Sequence, residues 1–194
     1  MKAGFVQFEP RFGAPEYNRH AAFSLMEKST SRLLVLPELF TTGYLFVSKK
    51  EVEEMAEEIP RGITTRRLME FARDKNCYVV GGLAERAGDK YFNSSVIVGP
   101  GGYIATYRKA HLFNEEKLFF SPGDLPFEVY DIGEARVGML ICFDWFFPES
   151  ARALALMGAD IVAHCANLVL PHCPAAMITR CIENRVFAIT ADRV

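Results

Sequence analysis

Short apolar runs rich in β-branched residues alternate along this chain with segments whose apolar residues recur at helical spacing. A run that is apolar throughout belongs inside a sheet, and a segment with one apolar stripe belongs across a sheet face. The alternation therefore constrains the chain to an α/β layered fold. Residues 2–8, 32–39, 77–85, 135–143, 160–166 and 186–194 read as strands, and residues 15–30, 62–76, 148–159 and 175–186 as helices. The helix at 62–76 carries Thr near its start and Leu68, Met69, Phe71 and Ala72 on its inner side. Residues 91–109 hold two apolar segments around Gly-Pro-Gly-Gly, a hairpin signature that makes the sheet mixed and not purely parallel.

With 194 residues, half of them apolar, the chain can bury a sizeable core as one domain over 1–194, and no linker, repeat or low-complexity stretch divides it. Its 22 basic and 24 acidic residues are mixed along the chain, for a net charge of −2. That balance gives no electrostatic footprint for nucleic acid or an anionic membrane, and points instead to a small, neutral or mildly charged partner. The N-terminal apolar run is too short, and its first carboxylate too early, for a signal peptide, and no later run could cross a bilayer. Five cysteines at irregular spacing argue against a secreted disulfide framework, so the cytoplasm is the expected location. The last strand reaches Val194 without a polar tail, an edge that invites pairing.

Three apolar strands share one design, each delivering a reactive side chain at its carboxyl end. RLLVLPELF brings Glu38, YIATYRKAHLF brings Lys109, and GMLICFDWFFPE brings Cys142. Strand ends are where α/β sheets gather ligand sites. The three groups are chemically complementary. A thiol must lose its proton to attack, and a nearby ammonium is expected to favour the thiolate. A carboxylate can take that proton and return it to a leaving group, while the ammonium steadies a growing oxyanion. Each residue alone has a plainer role: a packed cysteine, a strand-end glutamate, half of an exposed ion pair.

The words LPELF, YRKAHLF and ICFDWFFPESAR, in this order and at these spacings, closely resemble the nitrilase superfamily, the carbon-nitrogen hydrolases. The resemblance runs from Met1 to Val194 and implies a four-layer α-β-β-α sandwich with mixed sheets, lacking the C-terminal strands and tail usual in the family. It implies Glu38 as general base, Lys109 as electrostatic stabiliser and Cys142 as nucleophile. A second family glutamate matches Glu116, with Glu115 the weaker register, and the backbone N–H of Phe143 would complete the oxyanion hole. The implied reaction is hydrolysis of a small amide or nitrile to a carboxylic acid and ammonia through a thioester, with no metal or organic cofactor. N-carbamoyl amino acid hydrolysis and a catalytically silent binding subunit are the alternatives.

Tyr44, Phe113, Phe143, Trp145 and Asn167 lie near these words or at the following strand end and are expected to line the substrate pocket. An aromatic wall with few cations suits a small aliphatic or arylaliphatic substrate. Two rivals use other residues. His164, Cys165, His172, Cys173 and Cys181 are dense enough in soft ligands to raise zinc, although their spacing is not that of a zinc site. His111 or His164 could instead serve a cysteine-histidine hydrolase. The resemblance also implies association through the helices beside the nucleophile, which makes residues 148–160 and 175–186 the expected faces of a homodimer or higher homo-oligomer.

Overall fold

The computed structural model describes residues 1–194 and sorts the strands into two sheets. In the first, β1 (Ala3–Phe5), β2 (Leu33–Val35) and β3 (Tyr78–Ala87) run parallel, and β4 (Lys90–Gly99) and β5 (Gly102–Arg108) extend it antiparallel. In the second, β6 (Val129–Asp131) lies antiparallel to β7 (Arg136–Ile141), which runs parallel to β8 (Ile161–Cys165) and β9 (Phe187–Ala191). Six helices connect them: α1 (Pro15–Met26), α2 (Lys49–Met55), α3 (Ile63–Lys75), α4 (Glu116–Phe119), α5 (Pro148–Leu156) and α6 (Cys173–Asn184).

The twofold period of the strands builds the layers. Leu33, Val35, Val80, Ile97 and Tyr107 of the first sheet pack against Val137, Met139, Ile141, Ile161, Ala163 and Cys165 of the second, forming an interior between the sheets. Their sequence neighbours Leu34, Val79, Val96 and Val98 face the other way, onto Ala22 and Met26 of α1 and Leu68, Phe71 and Ala72 of α3. Leu140 and Val162 likewise turn outward to Leu154 of α5, and α6 closes beside it through Cys173 and Met177 on Trp145. The result is the expected α-β-β-α sandwich. Burying each of these large side chains contributes roughly 1.5–3 kcal/mol before chain entropy is counted.

Several expected elements differ in extent, for local reasons. The strand expected over 32–39 ends at Val35; the N–H of Leu36 still bonds Val80, but Pro37 has no donor and Leu39 adopts a φ of 48°, so Glu38 sits on a turn. The strand expected over 135–143 ends at Ile141, and Cys142 opens a 3-10 turn over Cys142–Phe146. Helix α3 is not capped by Thr: its first turn is satisfied by the Glu57 carboxylate, which accepts from the Thr64 N–H (2.7 Å) and hydroxyl. Helix α2 carries a capping box between Ser48 and Glu51, legible in the pattern Ser-Lys-Lys-Glu. The short β6 and α4 lack any such signal. The hairpin turns on Pro100 and Gly101, with Gly99 paired to Gly102, at the Gly-Pro-Gly-Gly that predicts it.

The antiparallel steps from β3 to β4 to β5 restore the direction of β2, so the carboxyl ends of β2 and β5 lie at one edge of their sheet. The carboxyl end of β8 in the facing sheet meets that edge, where the Glu38 N–H donates to the Ala166 carbonyl at 3.3 Å. β3 passes close beneath the Glu38 turn. A Cβ at Gly82 would stand 2.6 Å from Glu38 Cα and 2.9 Å from Leu39 N, both backbone atoms that cannot swing aside. We expect Gly82→Ala to lower stability by about 1–3 kcal/mol. Gly101→Ala, where a Cβ meets nothing within 4 Å, should stay within about 0.5 kcal/mol. Denaturant midpoints of the two variants check this.

Candidate active site

Glu38 follows β2, Lys109 directly follows β5, Cys142 directly follows β7 and Asn167 lies just beyond β8. Lys109 Nζ donates to Glu38 Oε1 and to Glu116 Oε1, both at 2.7 Å. All three side chains are buried, at 1% exposure for Lys109, 2% for Glu38 and 6% for Glu116. Asn93 Nδ2 donates to the same Glu38 oxygen at 2.7 Å, while Glu38 Oε2 is buried without a partner. Glu116 Oε2 accepts the Phe113 N–H at 3.0 Å, which fixes that carboxylate against the lysine. Glu116, not Glu115, reaches Lys109; Glu115 is exposed at the rim of the neighbouring cavity.

Cys142 has a φ of 38°, in the left-handed region, a strain of order 1–3 kcal/mol for a residue with a side chain. The surroundings hold it there. His164 Nε2 donates to the Cys142 carbonyl at 2.9 Å, and its Nδ1 meets Thr190 Oγ1 at 3.0 Å. This fixes the His164 tautomer, and burial pushes its pKa down, so the ring is neutral. The Cys142 thiol donates to the Asn167 carbonyl at 3.4 Å.

Protonation in the site departs from the sequence expectation. Burial pushes the Cys142 thiol well up and the charge on Glu38 adds to it, while Lys109 pulls down too weakly to win. The ammonium does not deliver a resting thiolate, because burial and the charge on Glu38 outweigh its pull. Burial likewise raises Glu38, to about 7, against the pull of Lys109 and with the help of Glu116. Burial lowers the Lys109 pKa, but Glu38, the thiolate form of Cys142 and Glu116 outweigh it, and the pKa stands above its ordinary value. The resting arrangement is thus a protonated thiol near a fixed ammonium and a carboxylate with one free oxygen. That is the equipment of a base-assisted nucleophile.

A cavity of about 300 Å³ lies beside these groups, with Tyr44, Phe46, Phe113, Phe120 and Val169 among its lining. Phe113 and Val169 also border a hollow of about 10 Å³ that includes Cys142, Phe143 and Trp145. The expected pocket residues therefore divide. Tyr44 and Phe113 face the large cavity. Phe143 and Trp145 wall the sulfur, and Trp145 packs on Cys173 and Met177 as well. Asn167 is buried and gives Cys142 its backbone carbonyl. Burial, then Glu38 and Glu116, push the Tyr44 phenol up, so it is a donor at neutral pH. His111 stacks on Phe147, with centroids 3.7 Å apart, and bonds Asp144 through Nδ1 at 2.8 Å. Neither histidine is bonded to the sulfur.

Asn93 and Asp144 escaped the sequence reading because single polar residues inside strand-like or aromatic runs carry no spacing signal. Gly123 escaped for the same reason: its N–H donates to the Lys109 carbonyl at 2.9 Å, and a side chain there would overlap the carbonyls of Arg108 and Lys109.

The model of the carbon-nitrogen hydrolase family matches residues 2–194. A nitrilase from Pyrococcus abyssi is 53% identical over 197 residues, covering 100% of this chain and 75% of that protein. An (R)-stereoselective amidase from Pseudomonas sp. is 37% identical over 199 residues, covering 100% of this chain and 71% of the amidase. Among solved structures, a CN-hydrolase superfamily protein from Xanthomonas campestris with an arsenic adduct in its active site superposes with a TM-score of 0.86. It is 27% identical, and the match covers 97% of this chain and 74% of that one.

Removing the cation should expose the electrostatics directly. Lys109→Ala leaves Glu38 and Glu116 buried without a counter-charge, and we expect a loss of about 3–5 kcal/mol near neutral pH. Glu38, already raised by burial, would lose the pull of Lys109 and titrate higher still in the folded protein, so folding takes up a proton and stability falls as pH rises. Denaturant midpoints at about pH 5 and about pH 8 should show the larger deficit at the higher pH; a deficit independent of pH would contradict the arrangement.

Proposed function

The chain belongs to the carbon-nitrogen hydrolase family and is a hydrolase of amide or nitrile carbon–nitrogen bonds; we propose that Cys142 breaks that bond through a thioester, with Glu38 and Lys109 as its partners. The observation that carries this reading is the free Oε2 of Glu38 on a carboxylate otherwise fixed by Lys109 and Asn93. In the proposed path, Glu38 takes the thiol proton as the sulfur attacks the carbonyl carbon. Lys109 and the Phe143 N–H hold the oxyanion, and Glu116 keeps Lys109 in place. Glu38 then protonates the nitrogen, the C–N bond breaks, and ammonia leaves. Water enters, loses a proton to Glu38 and attacks the thioester. The C–S bond breaks to release the acid, and the sulfur recovers its proton from Glu38.

The substrate we infer is a small uncharged aliphatic or arylaliphatic amide, in preference to a nitrile or N-carbamoyl compound. The aromatic lining of the cavity beside the site, with no basic residue in it, supports an uncharged substrate, and the amidases among the relatives support an amide. A panel of simple amides, nitriles and carbamoyl amino acids assayed for ammonia release tests it, and a preference for polyanionic amides would overturn it.

We also propose that copies of the chain associate through the outer helices, where Leu156 is 80% exposed, Ile178 62% and Ile182 73%. Light scattering at micromolar concentration should show a dimer or larger species, and a clean monomer would contradict it. All five cysteines are free, which fits a reducing compartment such as the cytoplasm. No helix is long and apolar enough to cross a membrane.

Two measurements check the chemistry. Cys142→Ala should cut ammonia release by about 10⁴-fold or more with the fold intact by circular dichroism. The base form of Glu38 grows with pH, so kcat/KM should climb through an apparent pKa of about 7, and Glu38→Gln should remove that limb along with most of the activity.

A further inference from the structure

We propose that Asp144 is a positioning residue that holds the Cys142 turn in register with the Lys109 loop. The proposal rests on the roles given above to Cys142 and Lys109. Asp144 is fully buried and its carboxylate accepts four hydrogen bonds. Oδ2 takes the Ile141 N–H at 2.9 Å and the Tyr107 hydroxyl at 2.8 Å. Oδ1 takes the His111 N–H at 3.1 Å and meets His111 Nδ1 at 2.8 Å. The Tyr107 oxygen in turn accepts the Ala110 N–H at 3.2 Å. Residues on both sides of Lys109, and the residue just before Cys142, thus converge on one side chain.

Every hydrogen bond between residues 107–111 and 141–146 passes through this carboxylate. The lysine and the cysteine come from facing sheets, so nothing in either sheet's own ladder sets their relative height. Asp144 also satisfies the N–H of Ile141, the last residue of β7, next to the strained Cys142. It therefore fixes the direction in which the following N–H, that of Phe143, is presented.

The chemistry of the site demands an acceptor on both oxygens. The Ile141 and His111 N–H groups donate to different oxygens, and neither can reverse its role. An amide in place of the carboxylate must set its own N–H against one of them, whichever way it is turned. Asparagine is therefore a same-sized change that loosens one side of the register without opening a cavity.

The test separates positioning from mere support of the fold. Asp144→Asn should lower the single-turnover acylation rate by about 10²-fold with KM within about threefold. An aldehyde analogue of the substrate adds to the sulfur and places an oxyanion in the same spot; its affinity should fall by a factor similar to that of the rate. In a Cys142→Ala background, the affinity for unreacted amide should be the same with and without Asp144→Asn. An unchanged acylation rate, or an amide affinity that falls as far as the rate, would overturn the proposal. If Asp144→Asn does not fold, Tyr107→Phe removes one of the four donors, together with the acceptor of the Ala110 N–H, and leaves the other three donors on Asp144. A several-fold loss of acylation rate at unchanged KM and unchanged melting temperature supports the proposal, and an unchanged rate overturns it. Turnover surviving in Cys142→Ala would instead defeat the underlying nucleophile assignment.

Discussion

One buried ammonium set between two buried carboxylates governs this site. Lys109 cannot be removed from water alone, and a single carboxylate would cancel it; two leave the cluster short of positive charge by one. Burial, reinforced by that shortage, raises Glu38 to about 7 and keeps the proton on the Cys142 thiol at rest. It also makes the ionised site unfavourable for folding. The Glu38 carboxyl binds its proton more tightly folded than unfolded, so its contribution to stability declines as pH rises from the ordinary carboxyl value of 4.5 toward about 7. The site is kept ready for proton transfer at the expense of stability.

Everything else in the fold serves to hold that cluster against its own repulsion. The carboxyl ends of β2 and β5 face those of β7 and β8 across the sandwich, and the interior between the sheets keeps water from the charges. The strained φ at Cys142 is enforced from two directions, by His164 on its carbonyl and by Asp144 on the N–H before it. Gly82 and Gly123 let neighbouring backbone approach the Glu38 turn and the Lys109 carbonyl at distances no side chain would allow. Strain and close approach concentrate where reacting groups must be immobile.

The layers were legible because burial imposes periods of two and of 3.6 on the sequence, and the hairpin because Gly-Pro-Gly-Gly has few other uses. Glu38, Lys109 and Cys142 could be named because each lies in a motif that resembles the family's, and Glu116 because the same resemblance places a second glutamate after the lysine. Their convergence is long-range and no local pattern encodes it. The net protonation state is not legible for the same reason: Lys109 does favour the thiolate as expected, but burial and the charge on Glu38, which no local pattern encodes, outweigh it. Asn93, Asp144 and Gly123 act through single contacts with distant backbone or side chains, so their neighbours in sequence say nothing about them. The pocket was half legible. Aromatic residues near the motifs do line it, but Trp145 is shared with the core and Asn167 acts through its backbone.

The central claim is that the carbonyl carbon becomes bonded to one particular sulfur during turnover. Acid quenching during steady-state hydrolysis of a simple amide, followed by proteolysis and mass spectrometry, reads this directly. The account predicts an acyl group on the peptide carrying Cys142, lost when the quenched sample is treated with hydroxylamine and absent from the peptides carrying Cys77, Cys165, Cys173 and Cys181. Steady turnover with Cys142 unmodified, or an acyl group carried by another residue, would contradict it.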